Sequence, residues 1–210
     1  MRLSQSAGRL CLFLAIAGPA CPQEFYSWHT HEIASNLTER SSIVFHTRLR
    51  SRQSFQHLAQ FRAGVLLGYN FRGFNLTGGY YVEPNHPLDS EWQSGHRLTT
   101  SVSRSFPLRP RFTATPRLNM DRFFTVVRGD FNRFRSGVRW DYGRLSGPYM
   151  INEVMFSATG FQSTRHTAGW RVRPLPQVQF EAGYVYDVRT AYWGGNRQAI
   201  ITVMRYQLGD

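Results

Sequence analysis

The chain has 210 residues, of which 41% are hydrophobic, 15% aromatic and only 18% charged, proportions that exclude a disordered chain and a bundle of charged helices. All 25 basic residues are arginine, and against 13 acids they leave a formal charge of +12. Guanidinium stays protonated at any physiological pH, so this excess cannot be titrated away.

Met1 to Ala20 carry Arg2 and Arg9, the apolar run Leu10 to Ala17, and small residues at Gly18 and Ala20. This is the layout of a secretory signal peptide cleaved near Ala20, leaving residues 21–210 as a single domain. No stretch reaches the ~18 to 20 consecutive apolar residues of a transmembrane helix, so the mature chain is either soluble after export or enters a membrane as strands. Cys11 leaves with the signal and Cys21 lies at the cut, so no internal disulfide staples the domain. Lipidation of Cys21 stays open, although Gly18 stands where a lipobox carries Leu.

From Tyr26 onward the chain alternates with period two, as a strand does when successive side chains point to opposite faces. Trp28 to Leu37, Ile43 to Arg50 and Ala59 to Asn70 alternate with low contrast. In the next segment Phe74, Leu76, Tyr80 and Val82 oppose Asn75, Thr77, Tyr81 and Glu83. Leu98, Thr100, Val102 and Phe106 then oppose Arg97, Thr99, Ser101 and Ser103, and Leu118 and Met120 oppose Arg117, Asn119 and Asp121. Phe134, Val138, Trp140 and Tyr142 face away from Arg133, Arg135, Arg139 and Asp141. After Tyr149 to Ser157 and Arg165 to Arg173, Phe180, Ala182, Tyr184 and Tyr186 oppose Gln179, Glu181 and Asp187. The last segment sets Ile200, Thr202, Met204, Tyr206 and Leu208 against Ala199, Ile201, Val203 and Arg205. No segment after the signal has helical spacing, so the fold class is all-β.

Short connections at Asn70 to Gly73, Pro107 to Pro110, Gly143 to Pro148 and Arg173 to Pro176 alternate with longer ones at Pro84 to Glu91, Arg122 to Asn132, Ala158 to Thr164 and Arg189 to Asn196. Short turns at one end and longer loops at the other, joining segments of about 9 to 12 residues, predict an antiparallel up-and-down transmembrane β-barrel. A sandwich would also alternate, but here aromatics sit near the ends of the apolar faces, as interfacial girdles do, while the other faces collect Arg with Asp, Glu, Ser and Thr. The segments number eleven, whereas single-chain bacterial barrels have an even count, so the expected number is ten to twelve. The ending Tyr206-Gln207-Leu208-Gly209-Asp210 lacks the terminal aromatic that the barrel-insertion machinery reads, which weighs against an outer-membrane location.

Leu118-Asn119-Met120-Asp121-Arg122-Phe123 and Arg133-Phe134-Arg135-Ser136-Gly137-Val138-Arg139-Trp140 resemble the bacterial DUF2490 family. So do Glu24-Phe25-Tyr26-Ser27-Trp28, the Asn152-Glu153 pair and Gly183-Tyr184-Val185-Tyr186, over roughly Gln23 to Leu208. The resemblance implies an exported, outer-membrane barrel with no catalytic residues to carry over.

Placing the polar faces inside puts Arg48, Arg50, Arg62, Arg97, Arg117, Arg133, Arg135, Arg139, Arg165 and Arg171 in the lumen, against Glu83, Asp121, Asp141, Glu181 and Asp187. Arg and carboxylate on adjacent strands can pair through two parallel hydrogen bonds, filling the lumen with ladders. The excess of fixed positive charge would also make a narrow passage or cavity that favours anions. Two other classes compete. A lipid hydrolase needs a serine against a histidine base, for which His46, His96 and His166 with Ser94, Ser101 and Ser163 are the candidates. A secreted soluble sandwich would turn the arginines outward to an anionic partner. His29 and His31 share a face without a third metal ligand, and no phosphate loop or cofactor motif occurs. The expected partners are outer-membrane lipids or lipopolysaccharide phosphates, met by Arg128, Arg189 and Arg197 with Tyr192 and Trp193, and not nucleic acid. The expectation is a cofactor-free, monomeric, non-enzymatic outer-membrane barrel.

Overall fold

The computed structural model describes residues 24–52, 57–87, 91–125 and 129–209. The segment read as a signal peptide, Cys21 and the loop residue Arg128 lie outside them. Eleven strands close a barrel: β1 (Glu24–Asn36), β2 (Ser41–Arg52), β3 (His57–Phe71), β4 (Phe74–Val82), β5 (Gly95–Arg104), β7 (Phe112–Thr125), β8 (Phe131–Tyr142), β9 (Ser146–Ser157), β10 (Gly160–Leu175), β11 (Val178–Arg189) and β12 (Arg197–Leu208). A twelfth, β6 (Phe106–Arg109), pairs only with β7. Sequence neighbours pair antiparallel around the ring. An odd number of alternating strands brings the first and last together pointing the same way. β1 and β12 accordingly close the ring as a parallel pair, in register from Glu24↔Arg197 to Ser35↔Leu208. The eleven alternating segments are the eleven staves, and the two ends of the described chain sit at opposite rims.

The break between β5 and β6 follows from one residue. Pro116 of β7 stands opposite Arg104 and has no N–H to give to a ladder. The β5–β7 pairing runs to Ser103↔Arg117 and resumes at Phe106↔Ala114 in β6. β6 has no strand on its other side, the one setting in which its own Pro107 costs nothing.

The two faces of the sheet differ as the alternation predicts. Leu67, Leu118, Phe134 and Trp170 are at least half exposed, whereas Asp121 and Asp187 are at most 1% exposed. A water-soluble sandwich has the opposite arrangement. Aromatics on the buried face need small neighbours. Tyr149 lies across the cross-strand pair Gly169↔Gly183, where an added Cβ would come within 2.8 Å of its ring or hydroxyl.

One rim carries only short turns: residues 37–40, Arg72-Gly73, Pro110-Arg111, 143–145 and Pro176-Gln177. The Arg72-Gly73 turn has φ of +49° and +82°, the left-handed geometry of a two-residue hairpin turn, for which Asn-Gly is the favoured pair. The other rim holds the longer loops 83–94, 126–130 and 190–196. The expected long loop Ala158 to Thr164 is a two-residue turn instead, because β10 begins at Gly160. A register shift between Phe161 and Ser163 leaves both Gln162 and Ser163 buried. Two consecutive inward residues break the period-two pattern, which hides the start of the strand. A second shift at Arg50/Ser51 buries both Ala59 and Gln60 in β3.

Candidate functional site

The charged residues of the buried face form two ladders. The one nearer the short turns starts where Arg171 donates to the carbonyl of Gly143 at 2.7 Å and to Asp141 at 2.9 Å. Arg139 holds Asp141 through two N–H bonds of 2.8 and 2.9 Å, and reaches Glu181 at 2.8 Å. Arg205 joins Glu181 at 2.5 Å to Glu32 at 2.6 Å, and Glu32 meets His46 at 3.3 Å. Cations and carboxylates alternate along the ladder, so each buried charge has an opposite neighbour, as the low-dielectric setting demands.

The second ladder lies toward the longer loops. Arg62 binds Glu83 at 2.7 Å, and Arg97 stands 3.6 Å from Glu83 and 3.9 Å from Asp121. Two N–H groups of Arg133 donate to Asp121 at 3.1 and 2.7 Å, and Arg135 lies between Asp121 at 3.9 Å and Glu153 at 3.6 Å. Arg117 donates to Glu153 at 3.3 Å, and Arg165 reaches Asp187 at 2.9 Å.

A cavity of about 340 Å³ adjoins this second ladder, lined by ten arginines and by only two carboxylates, Glu83 and Asp187. A smaller space of about 260 Å³ is lined by six arginines and three glutamates. The two share Trp28, Arg48, Arg135 and Arg165. Among the described residues Arg48 and Arg50 form no ion pair. Arg48 donates to Thr30 Oγ1 at 3.0 Å. Arg50 lies 4.5 Å over the Trp28 ring and 5.0 Å over Tyr26, whose π faces attract a cation without neutralising it.

The register brings Asp121 opposite Arg133 and Asp187 opposite Arg165, and both pairs form across adjacent strands. Glu181 is opposite Arg171, yet Arg171 reaches past it to Asp141, and Arg139 and Arg205 take Glu181. Glu32, Glu153 and Arg205 hold the ladders together but were not among the expected site residues. The signal for two of them is parity, since Glu32 shares a face with Trp28 and Thr30, and Glu153 with Tyr149. The loop residues nominated for lipid contact divide. Trp193 is buried in a 3₁₀ turn (Ala191–Trp193) and lines the larger cavity with Arg189 and Arg197, while Tyr192 remains exposed.

Of the three histidine candidates, only His96 meets a candidate serine among the described residues. His46 is buried against Glu32, and exposed His166 contacts Asn152 at 2.9 Å with no serine hydrogen-bonded to it. Ser94 Oγ lies 3.2 Å from His96 Nε2, and the Tyr80 hydroxyl 2.5 Å from Nδ1. A neutral phenol in the orienting position lacks the charge with which a carboxylate stabilises an imidazolium. His29 contacts Thr202 at 2.8 Å, and among the described residues no three His, Cys, Asp or Glu side chains group in metal-binding geometry.

A family model described as "Protein of unknown function (DUF2490)" matches residues 25–197. The chain belongs to the DUF2490 family. The match runs from β1 to the first residue of β12 and so takes in nearly all of the barrel and every residue of the two ladders except Arg205. Comparison with curated proteins and with solved structures returns no significant match.

Proposed function

We propose that this DUF2490 barrel sits in the bacterial outer membrane and that its Arg-rich interior binds small anions beneath the longer loops. The reading is carried by the larger cavity, where ten arginines face two carboxylates. Fixed positive charge in a confined, low-dielectric space favours anions, and guanidinium pairs with planar oxyanions through parallel hydrogen bonds. The apolar outer face supports the membrane location, since a closed barrel satisfies every backbone group and can turn its apolar side to lipid. The ladder toward the short turns lines the smaller space with charges that are already paired, which favours an anion held beneath the longer loops over one that passes through. No step in this function calls on a catalytic group or a cofactor.

Titration of inorganic phosphate into the detergent-solubilised barrel tests this, with the fluorescence of Trp28 and Trp193 as the signal because both rings line the cavity. Saturable quenching that weakens about tenfold in Arg50→Gln is the expected result, a loss of the size of one charge-assisted hydrogen bond. A linear, unsaturable response in both proteins would remove the binding reading.

A narrow anion passage is the second reading, favoured by the residues that the two cavities share. It requires anion-selective conductance in a planar bilayer that falls when Arg135 or Arg139 becomes Glu. The binding reading requires a silent bilayer.

A further inference from the structure

The strongest charge asymmetry on the outside of the molecule lies between its two rims. Every short turn brings an exposed arginine to the same rim. Arg40 lies in the β1–β2 turn, Arg72 in the β3–β4 turn and Arg111 in the turn before β7. Arg144 lies in the β8–β9 turn, and Arg173 is near the end of β10. Arg104 and Arg109, flanking or within β6, add two more exposed side chains. Glu39 is the one exposed carboxylate there among the described residues, and none of the seven arginines forms an ion pair among them. At the opposite rim the exposed charges of the described residues are Glu91 and the pair Arg122–Asp130.

Two further observations bear on what this ring meets. Aromatic side chains lie directly beneath it: Arg104 stands 4.9 Å over Phe74 and 5.2 Å over Phe106, and Arg72 stands 5.2 Å over Phe71. Guanidinium above an exposed aromatic girdle is the layering of a membrane interface, with the ring at headgroup depth and the cation at the phosphates. Arg72 also occupies a left-handed position, the sole non-glycine residue with positive φ among those described. Asn or Gly fits that position with less strain, and arginine brings a charge set over the Phe71 ring.

We propose that the short-turn rim is a docking ring for the phosphate plane of a leaflet rich in anionic glycerophospholipid. The proposal rests on the membrane reading above and adds a direction to it. Turns of two to four residues keep Arg40, Arg72, Arg111 and Arg144 close to the edge of the barrel wall, where the first phosphate beyond the hydrocarbon would lie. They do not extend into a layer of sugars, so the rim fits a phospholipid leaflet and not lipopolysaccharide, and the longer loops face the other side.

The test inserts the full chain into vesicles of phosphatidylcholine containing a minor share of phosphatidylglycerol, extracts it gently, and measures by mass spectrometry the lipids that stay bound. Wild-type protein should retain phosphatidylglycerol several-fold above its share in the vesicle. The ratio should fall toward that share when Arg40, Arg72, Arg111, Arg144 and Arg173 all become Gln, and also when wild-type protein is washed in high salt, which screens exposed charges. Arg122→Gln at the other rim should leave it unchanged. Equal retention by wild type and the five-site variant overturns the proposal, and so does preferential retention of lipopolysaccharide when both lipids are offered. If the five-site variant does not insert, the paired substitution Arg144→Gln with Arg173→Gln and the salt wash decide the matter. A wild-type chain that enters no vesicle, shown by identical gel mobility of boiled and unboiled samples, would instead sink the membrane reading itself.

Discussion

The two ladders of the buried face use the same residue types to opposite effect. Toward the short turns, Arg171, Asp141, Arg139, Glu181, Arg205 and Glu32 alternate in sign at 2.5 to 2.9 Å. Toward the longer loops the arginines outnumber the carboxylates, and Arg50 rests on Trp28 and Tyr26. The first arrangement is electrostatically closed and acts as a strut between strands. In the second, the described residues around the cavity carry more arginine than carboxylate, and the proposed anion site rests on that excess. Arginine content alone therefore says nothing about binding; the local ratio of cations to carboxylates does.

The comparison predicts unequal costs of removing charge. Glu181 accepts from Arg139, Arg205 and Gln179, so Glu181→Gln cuts the ladder at its middle, leaving Arg139 to Asp141 alone and Arg205 to Glu32 alone. Leaving a fully buried charge without its partner costs roughly 3–5 kcal/mol, and the carboxylates that remain set this as the upper bound here. The temperature at which the folded band is lost from an unboiled gel series should drop sharply. A variant with wild-type heat resistance would mean that the ladder is not a strut.

A backbone change tests whether the same region also depends on packing. The Gly169→Ala Cβ would lie 2.3 Å from the carbonyl oxygen of Ala182 and 2.8 Å from the Tyr149 ring. Over-packing of this kind costs roughly 1–3 kcal/mol. Urea unfolding in detergent should show a lower midpoint, and Tyr149→Leu in the same chain should recover only part of it, because the carbonyl contact remains.

Arg50→Gln sharpens the other side of the comparison. Arg50 has no ion pair among the described residues, so removing its charge relieves repulsion from the neighbouring arginines while giving up its contacts with two rings, each worth about 0.5–2 kcal/mol. These effects oppose one another, and the stability read from urea unfolding should change by no more than about 1 kcal/mol, although phosphate binding weakens. A stability loss as large as that of Glu181→Gln would erase the distinction between the two ladders.

Much of this architecture was legible in the chain. The eleven alternating segments became the eleven staves, and Asp121 with Arg133 and Asp187 with Arg165 met as parity and neighbouring strands require. What escaped was set by relations between distant strands. The parallel closure of β1 on β12 has no local signature, and the bulges beside Ala59 and Gln162 shift parity in mid-strand, so β10 began five residues before its recognisable pattern at Arg165. Glu32 was hidden in a low-contrast strand among His29, His31 and Thr30. The arginine ring was invisible for a different reason: Arg40, Arg72, Arg111, Arg144 and Arg173 are spread over most of the chain, and only the topology gathers them at one rim.

That ring supplies the smallest and most specific prediction. A non-glycine residue other than Asn or Asp held in the left-handed region costs about 1–2 kcal/mol, and Arg72 adopts φ +49° at the first position of its turn. Arg72→Asn should therefore stabilise the β3–β4 hairpin slightly, by up to about 1 kcal/mol, because Asn-Gly suits both positions of such a turn. The urea midpoint should rise while the retained share of phosphatidylglycerol declines modestly. The opposite signs matter, since a residue serving only the turn would improve stability on replacement and leave lipid retention unchanged. If both quantities fall together, Arg72 supports the fold through a contact of its own, and its left-handed conformation ceases to argue for a role at the membrane surface.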